Sequence, residues 1–251
     1  MRFEELFPKG KPIFGMIHHK GTDREDKLRR AAQEADLLVS CGVDALMIED
    51  YYGDAEDVEN TLRWLQAERP HYCYGVNVLD QLTLSCDLAE KYGAKLVQVD
   101  SICGHLTPEA DKQYEAECLA CHSRGSFLLL GGVRFKYKDV LSGRSLEEDL
   151  KLGMTRCDAI VVTGTGTGVN TEMSKIKEFR RMMGSFPLII GAGVTQETVK
   201  GQLFVGDGAI VGSAFKQGGI AENELCEKAV QDFMAQVVSL RSAMFMMKKL
   251  S

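Results

Sequence analysis

Along this chain, short apolar runs alternate with longer stretches in which apolar residues recur every three or four positions. The first pattern is that of buried strands and the second that of helices with one apolar face. Pro12–Ile17, Ala45–Ile48, Tyr74–Val78, Leu96–Val99, Phe127–Val133, Ala159–Val162 and the runs that end at Gly191 and at Gly212 read as eight strands. Helices are expected between them over Thr22–Ser40, Asp54–Arg69, Gln81–Tyr92, Thr107–Arg124, a segment opening at Ser145, Thr171–Met183 and a short stretch after Thr195. A last helix is expected over Asn223–Lys248, with Leu225, Ala229, Phe233, Val237 and Leu240 on the face turned to the barrel.

Helix boundaries carry their own chemistry. Thr22 with Glu25, and Ser145 with Glu148, have the spacing in which a hydroxyl and a carboxylate satisfy free N–H groups reciprocally. Asp54 is a capping residue, Pro108 sits where its missing N–H costs nothing, and Gly93 stops a helix. Eight strand-helix units in 251 residues predict a single-domain α/β protein spanning 1–251, a (β/α)8 TIM barrel. A doubly wound open sheet is the alternative.

Composition narrows the function. A net charge of −6 argues against nucleic-acid binding and against a basic membrane anchor. No apolar run is long enough for a membrane span and the N-terminus has no signal-peptide form, so a cytoplasmic location is expected. The eight cysteines are scattered and are expected to be reduced thiols. Cys118-Leu-Ala-Cys121-His122 has the spacing of covalent haem attachment, but it falls inside a helical segment and reads as a buried thiol face. Met244-Phe-Met-Met247 suggests a homo-oligomer contact, with packing on the barrel floor as the other reading.

A barrel brings the C-terminal ends of its strands to one mouth. There the sequence places His18 and His19, Glu49 and Asp50, Asn77, Asp100, Arg134 and Lys136, Thr163 and Gly164, and the glycines Gly191, Gly193 and Gly212 with Ser213. Glu49, Asp100 and Lys136 are the candidate catalytic groups, two proton carriers and one cation. Gly191, Gly193, Gly212 and Ser213 are expected to hold an anion on backbone N–H groups, since the loops after strands 7 and 8 commonly form a phosphate site. His18, Asn77, Arg134, Thr163 and Gly164 complete the candidate binding set, with at most one of His18 and His19 entering the mouth because neighbours on a strand face opposite ways. Lys136, alternating with Phe135 and Tyr137, is expected to point inward alongside Arg134. No cofactor is expected, although Glu49, Asp50 and Asp100 offer hard oxygen ligands that suit Mg²⁺.

The runs Gly75-Val-Asn77-Val-Leu79, Asp158-Ala-Ile-Val-Val-Thr-Gly164-Thr-Gly-Thr-Gly168, Gly191-Ala-Gly193-Val-Thr195 and Asp207-Gly208-Ala-Ile-Val-Gly212-Ser213 resemble the BtpA family, which includes the SgcQ-type proteins. The resemblance extends from about Pro12 to Phe233. It implies a TIM barrel and, for some members, a neighbourhood of sugar-uptake genes; the founding member is linked to photosystem I biogenesis. It implies no settled reaction. At the mouth the chain departs from the family pattern, with His18-His19-Lys20-Gly21 in place of a proline-rich turn, Asp100 where asparagine is usual, and Phe135-Lys136-Tyr137 for Val-Lys-His.

Two functions follow. One is an enzyme acting on a small phosphorylated metabolite, a sugar phosphate or relative, by isomerase, epimerase or lyase chemistry. The other is a non-catalytic barrel that binds a phosphorylated ligand as a sensor or assembly factor.

Overall fold

The computed structural model describes residues 1–250. Its strands are β1 (Ile13–His18), β2 (Ala45–Glu49), β3 (Tyr74–Asn77), β4 (Leu96–Cys103), β5 (Leu128–Val133), β6 (Ala159–Val162), β7 (Leu188–Ile190) and β8 (Gly208–Val211). All pair in parallel in sequence order, and β1 pairs with β8 to close the barrel. The helices are α1 (Phe3–Leu6), α2 (Arg24–Ser40), α3 (Ala55–Glu68), α4 (Leu82–Tyr92), α5 (Pro108–His122), α6 (Leu146–Arg156), α7 (Met173–Met183), α8 (Val199–Val205) and α9 (Glu227–Leu250).

Strand alternation sorts the apolar residues into two nested cores. Phe14 and Met16, Ala45 and Met47, Leu96, Leu128 and Leu130, Ala159 and Val161, Ile189 and Ile210 fill the barrel interior. Phe3 and Phe7, carried by or next to α1, join that cluster and stack on Phe14 with ring centroids 5.3 and 5.4 Å apart along the series. The alternate residues, among them Ile13, Ile17, Leu46, Ile48, Val76, Val97 and Val99, face the helices. A central strand buried on both faces has no polar side to show, which is why the eight runs read as continuous apolar segments.

Most boundaries follow the caps. The Asp54 side chain accepts from the N–H groups of Glu56 and Asp57, and Ser145 and Glu148 form the reciprocal pair at α6. Thr107 caps α5 ahead of Pro108, and Gly93 ends α4 in the left-handed region at φ 70°. At α2 the cap is Asp23, not Thr22: its carboxylate accepts from Asp26 N–H at 2.9 Å, and a carboxylate is the stronger acceptor at a helix N-terminus. α9 begins at Glu227, four residues later than expected from Asn223, because Leu225 is held in an antiparallel bridge to Lys216. Its buried face is Val230, Phe233, Met234 and Val237, while Ala229 and Leu240 are only half-buried. Phe245, Met246 and Met247 are exposed, so that run does not pack on the barrel floor.

The larger difference is in β4, which continues past Val99 to Cys103 with a register shift against β5. The irregularity brings the Asp100 carbonyl so close to β5 that a Cβ on Gly132 would lie 2.0 Å from it. Only glycine fits there.

Candidate active site

The period of two that fills the barrel interior also selects the site. Continuing inward from Phe14 and Met16, from Ala45 and Met47, and from Leu96, the next interior positions are His18, Glu49, Gln98 and Asp100. His18, Glu49 and Asn77 stand in register across β1, β2 and β3. With Lys136, the Gly191–Val194 turn and Gly212-Ser213, His18, Glu49, Gln98 and Asp100 line one cavity of about 880 Å³, its opening to solvent included.

Two carboxylates meet at the base of this cavity. The Asn77 amide, buried at the end of β3, donates one hydrogen to Glu49 Oε2 at 2.9 Å and the other to Asp100 Oδ1 at 3.2 Å. Gln98 Nε2 donates to the same Asp100 oxygen at 3.4 Å. Burial disfavours the charged form and the neighbouring Asp100 charge adds to it, so the Glu49 carboxyl is pushed up to about 8. Burial likewise raises Asp100, against the donated hydrogens of Asn77 and the positive charge of Lys136. Two like charges bridged by one amide do not ionise together readily, and the pair holds a proton at neutral pH on Glu49.

His18 lies beside them, Nε2 3.8 Å from Glu49 Oε1, with its ring against Tyr51 at 5.2 Å. Burial, then the charge of Lys216, pushes its imidazole down to about 3, so it is neutral and the contact with protonated Glu49 is not an ion pair. Lys216 is itself buried behind the site, bound to Glu34 Oε1 at 2.5 Å. His19 faces the other way, bonded through Nδ1 to the Glu49 carbonyl oxygen and through Nε2 to Thr61 Oγ1, both at 2.9 Å.

Across the mouth, β7 and β8 end in the glycine turns. Gly193 has φ 61°, and a Cβ there would sit 2.2 Å from the Val169 carbonyl carbon, so the turn packs directly under the loop after β6. The N–H group of Gly191, expected among the anion donors, is spent on the Val162 carbonyl at 2.7 Å, whereas those of Gly193, Gly212 and Ser213 have no acceptor among the described residues. Ser213 also opens a short 3₁₀ turn to Phe215, whose first N–H groups are free by construction. These donors lie on one wall of the cavity, and backbone donors of this kind suit an anion. Over them lies Thr167-Gly168, held by Lys136 Nζ to Thr167 Oγ1 at 3.0 Å and by Thr167 N–H to the Tyr137 hydroxyl at 2.7 Å.

Three residues expected at the site have other employment. Arg134 would point inward by alternation from Leu128, Leu130 and Gly132, but it adopts φ 49°, which breaks the strand and turns it out. Its guanidinium donates to Asp149 Oδ2 at 2.9 Å and to the Arg144 carbonyl at 2.6 Å, inside a buried network with Asp111 and Arg156. The same turn puts Phe135, Lys136 and Tyr137 all on the cavity wall, so the expected alternation is absent. Thr163 is buried, its hydroxyl accepting from Lys136 N–H at 3.1 Å, and Gly164 is covered by Val169 and Asn170; both shape the loop and neither lines the cavity.

Of the carboxylates named for Mg²⁺, Glu49 and Asp100 share the Asn77 amide and Asp50 is engaged elsewhere. Asp50 accepts from Leu79 N–H at 3.1 Å, and no cluster of three or more His, Cys, Asp or Glu side chains among the described residues could hold a metal ion. Cys118 and Cys121 are packed in the core and His122 is bonded to Asp158 at 3.1 Å. Gln98 is one of the polar lining residues that sequence reasoning passed over, with Tyr51, Tyr137 and Thr167; a lone amide inside the apolar run of β4, two residues before Asp100, was its signal. No helix among the described residues is long and apolar enough to cross a membrane.

A closed parallel barrel with its cavity at the C-terminal mouth, glycine turns on one side and paired carboxylates on the other, defines a TIM-barrel protein with the layout that this fold uses for ligand sites. The chain belongs to the BtpA family, whose model matches residues 68–239. An uncharacterised protein of Methanocaldococcus jannaschii is 25% identical over 242 residues, covering 86% of this chain and 91% of that protein. The putative sgc region protein SgcQ of Escherichia coli is 29% identical over 84 residues, 34% of this chain and 31% of its own. Among solved structures, the phosphoribosyl anthranilate isomerase of Thermus thermophilus aligns with a TM-score of 0.61 at 14% identity, over 91% of this chain and 99% of that one. At that identity the likeness is one of fold.

Proposed function

We propose that this protein is an enzyme that acts on a small phosphorylated metabolite by proton transfer, of the isomerase, epimerase or lyase type. The observation that carries the reading is the Asn77 bridge between Glu49 and Asp100, facing a glycine cradle across the same cavity. A pair of carboxyl groups whose surroundings keep one protonated and leave the other to accept is an acid and a base in waiting. Glu49, held up to about 8, is the acid at neutral pH and Asp100 is the base. Asn77 touches both and not the cavity, so it positions them. The Lys136 ammonium stands at the cavity wall between the carboxylates and the cradle loop, where it offsets negative charge that develops on an enolate or enediolate. The phosphate would rest on the N–H groups of Gly193, Gly212 and Ser213, which fixes the carbon chain relative to the two carboxyls.

Thermal-shift screening against phosphorylated sugars and related metabolites, followed by NMR of each stabilising compound, tests the reading. Conversion of a bound compound is expected, and Glu49→Gln and Asp100→Asn should each slow it by about 10²-fold or more. Binding without conversion would leave a ligand sensor in place of an enzyme. Full turnover in both variants would remove the carboxylates from the chemistry.

A further inference from the structure

The hydrogen-bonding groups left open in this cavity specify the end of the substrate that faces the carboxylates; this inference rests on the phosphate reading above. Both hydrogens of the Asn77 amide are spent on Glu49 and Asp100, and the nearest hydrogen-bond donor on Gln98 is spent on Asp100. Gln98 Oε1 is buried with no partner. His18 Nδ1, on a side chain nine-tenths or more buried, also has none. Buried polar atoms without partners are costly, and at a ligand site they mark where the ligand supplies the missing group.

The strands sort these groups by side. Gln98 and Asp100 come from β4 and Glu49 from β2, whereas the cradle comes from β7 and β8, on the opposite arc of the barrel. On the β2–β4 side, the acceptors without a partner are the buried Gln98 carbonyl oxygen and the second Asp100 oxygen. The donors beside them are the Glu49 carboxyl when it holds its proton and the one ring N–H of the neutral His18 imidazole. The Lys136 ammonium gives one of its three hydrogens to Thr167 on the cradle side.

We propose that the substrate is an aldose or ketose phosphate whose end opposite the phosphate is uncharged and carries hydroxyl groups beside a carbonyl, and that phosphorylated sugar acids are rejected. The hydroxyl hydrogens satisfy Gln98 and Asp100, and the carbonyl oxygen accepts from Glu49. A carboxylate in that position has no hydrogen to give to either acceptor. It would also bring a second negative charge against Asp100 in a largely water-excluded space. A site built to hydrogen-bond particular polar groups discriminates strongly against an analogue that lacks them.

The test is calorimetric titration of the full chain with glucose 6-phosphate and 6-phosphogluconate, with ribose 5-phosphate and its aldonic acid phosphate, and with inorganic phosphate alone. At least one sugar phosphate should bind about tenfold or more tightly than its acid partner, and the acids no more tightly than inorganic phosphate. In Asp100→Asn the gap within that pair should shrink about tenfold, because the charge that repels the acid is gone. An acid that binds as well as its sugar, or a gap unchanged in Asp100→Asn, overturns the proposal while leaving phosphate binding intact. If inorganic phosphate and every phosphorylated probe fail to bind, the cradle reading and this inference fall together.

Discussion

Glu49→Gln isolates the proton at the centre of the site. Gln keeps the shape and an oxygen to accept from Asn77, but it does not titrate. In the folded chain Glu49 holds its proton up to about 8. In the unfolded chain a glutamate loses it near a pKa of about 4.3. Between those values the folded state binds more protons than the unfolded state, so its stability falls as the pH rises. The contribution is complete below the unfolded value and lost as the pH passes through the folded one. Each pH unit inside the window is worth about 1.4 kcal/mol per proton, so going from pH 5 to pH 8 costs the natural chain roughly 2 to 4 kcal/mol that the variant does not lose. For a chain of this size, 1 kcal/mol moves the melting temperature by about 2 to 4 °C. Melting curves of the two proteins by circular dichroism, at constant ionic strength, should therefore diverge in favour of the variant by roughly 4 to 16 °C across that range. Asp100 is common to both and largely cancels. A difference in melting temperature that stays constant from pH 5 to pH 8 would refute the buried proton, and with it the assignment of Glu49 as acid.

Gly193→Ala should weaken inorganic phosphate binding by about tenfold or more and lower stability by roughly 1 to 3 kcal/mol, because alanine would sit in the left-handed region with its methyl group in the Val169 backbone; titration calorimetry with unchanged phosphate affinity would disprove the cradle. Arg134→Ala is expected to cost roughly 1 to 3 kcal/mol in a urea melt, by leaving Asp149 short of a donor, with ligand affinity unchanged. A large loss of affinity at preserved stability would return Arg134 to the site. Arg156→Met removes a fully buried guanidinium that donates to Asp111 at 2.7 Å and should destabilise by roughly 3 to 5 kcal/mol, read from the urea midpoint; a shift below about 1 kcal/mol would show that Arg144 alone satisfies Asp111.

Most of the frame was legible in the sequence, for a local reason. Eight apolar runs separated by helical periods leave little besides a barrel, and the caps Asp54, Thr107 and Ser145 and the stop at Gly93 act through bonds within a few residues of themselves. Placing Glu49, Asp100 and the two glycine turns at the mouth needed only the rule that parallel strands of one barrel end on one face. His18 and His19 parted as strand alternation requires.

What only the tertiary structure decided depends on contacts between distant segments. The extension of β4 through Asp100, the cover of Thr163 and Gly164 by the loop after β6, and the buried atoms of Gln98 that await a donor all arise there. Arg134 was drawn into the Asp149 network by a single residue with positive φ, which no periodicity announces. The Asn77 bridge is the clearest instance: β3 and its neighbours supply three polar side chains whose spacing in sequence says nothing of their meeting, and only the closed barrel brings one amide between two carboxyls. Sequence determined which residues reach the mouth, because backbone periodicity is local; the fold decided which of them touch, because burial, charge and hydrogen bonding act through space.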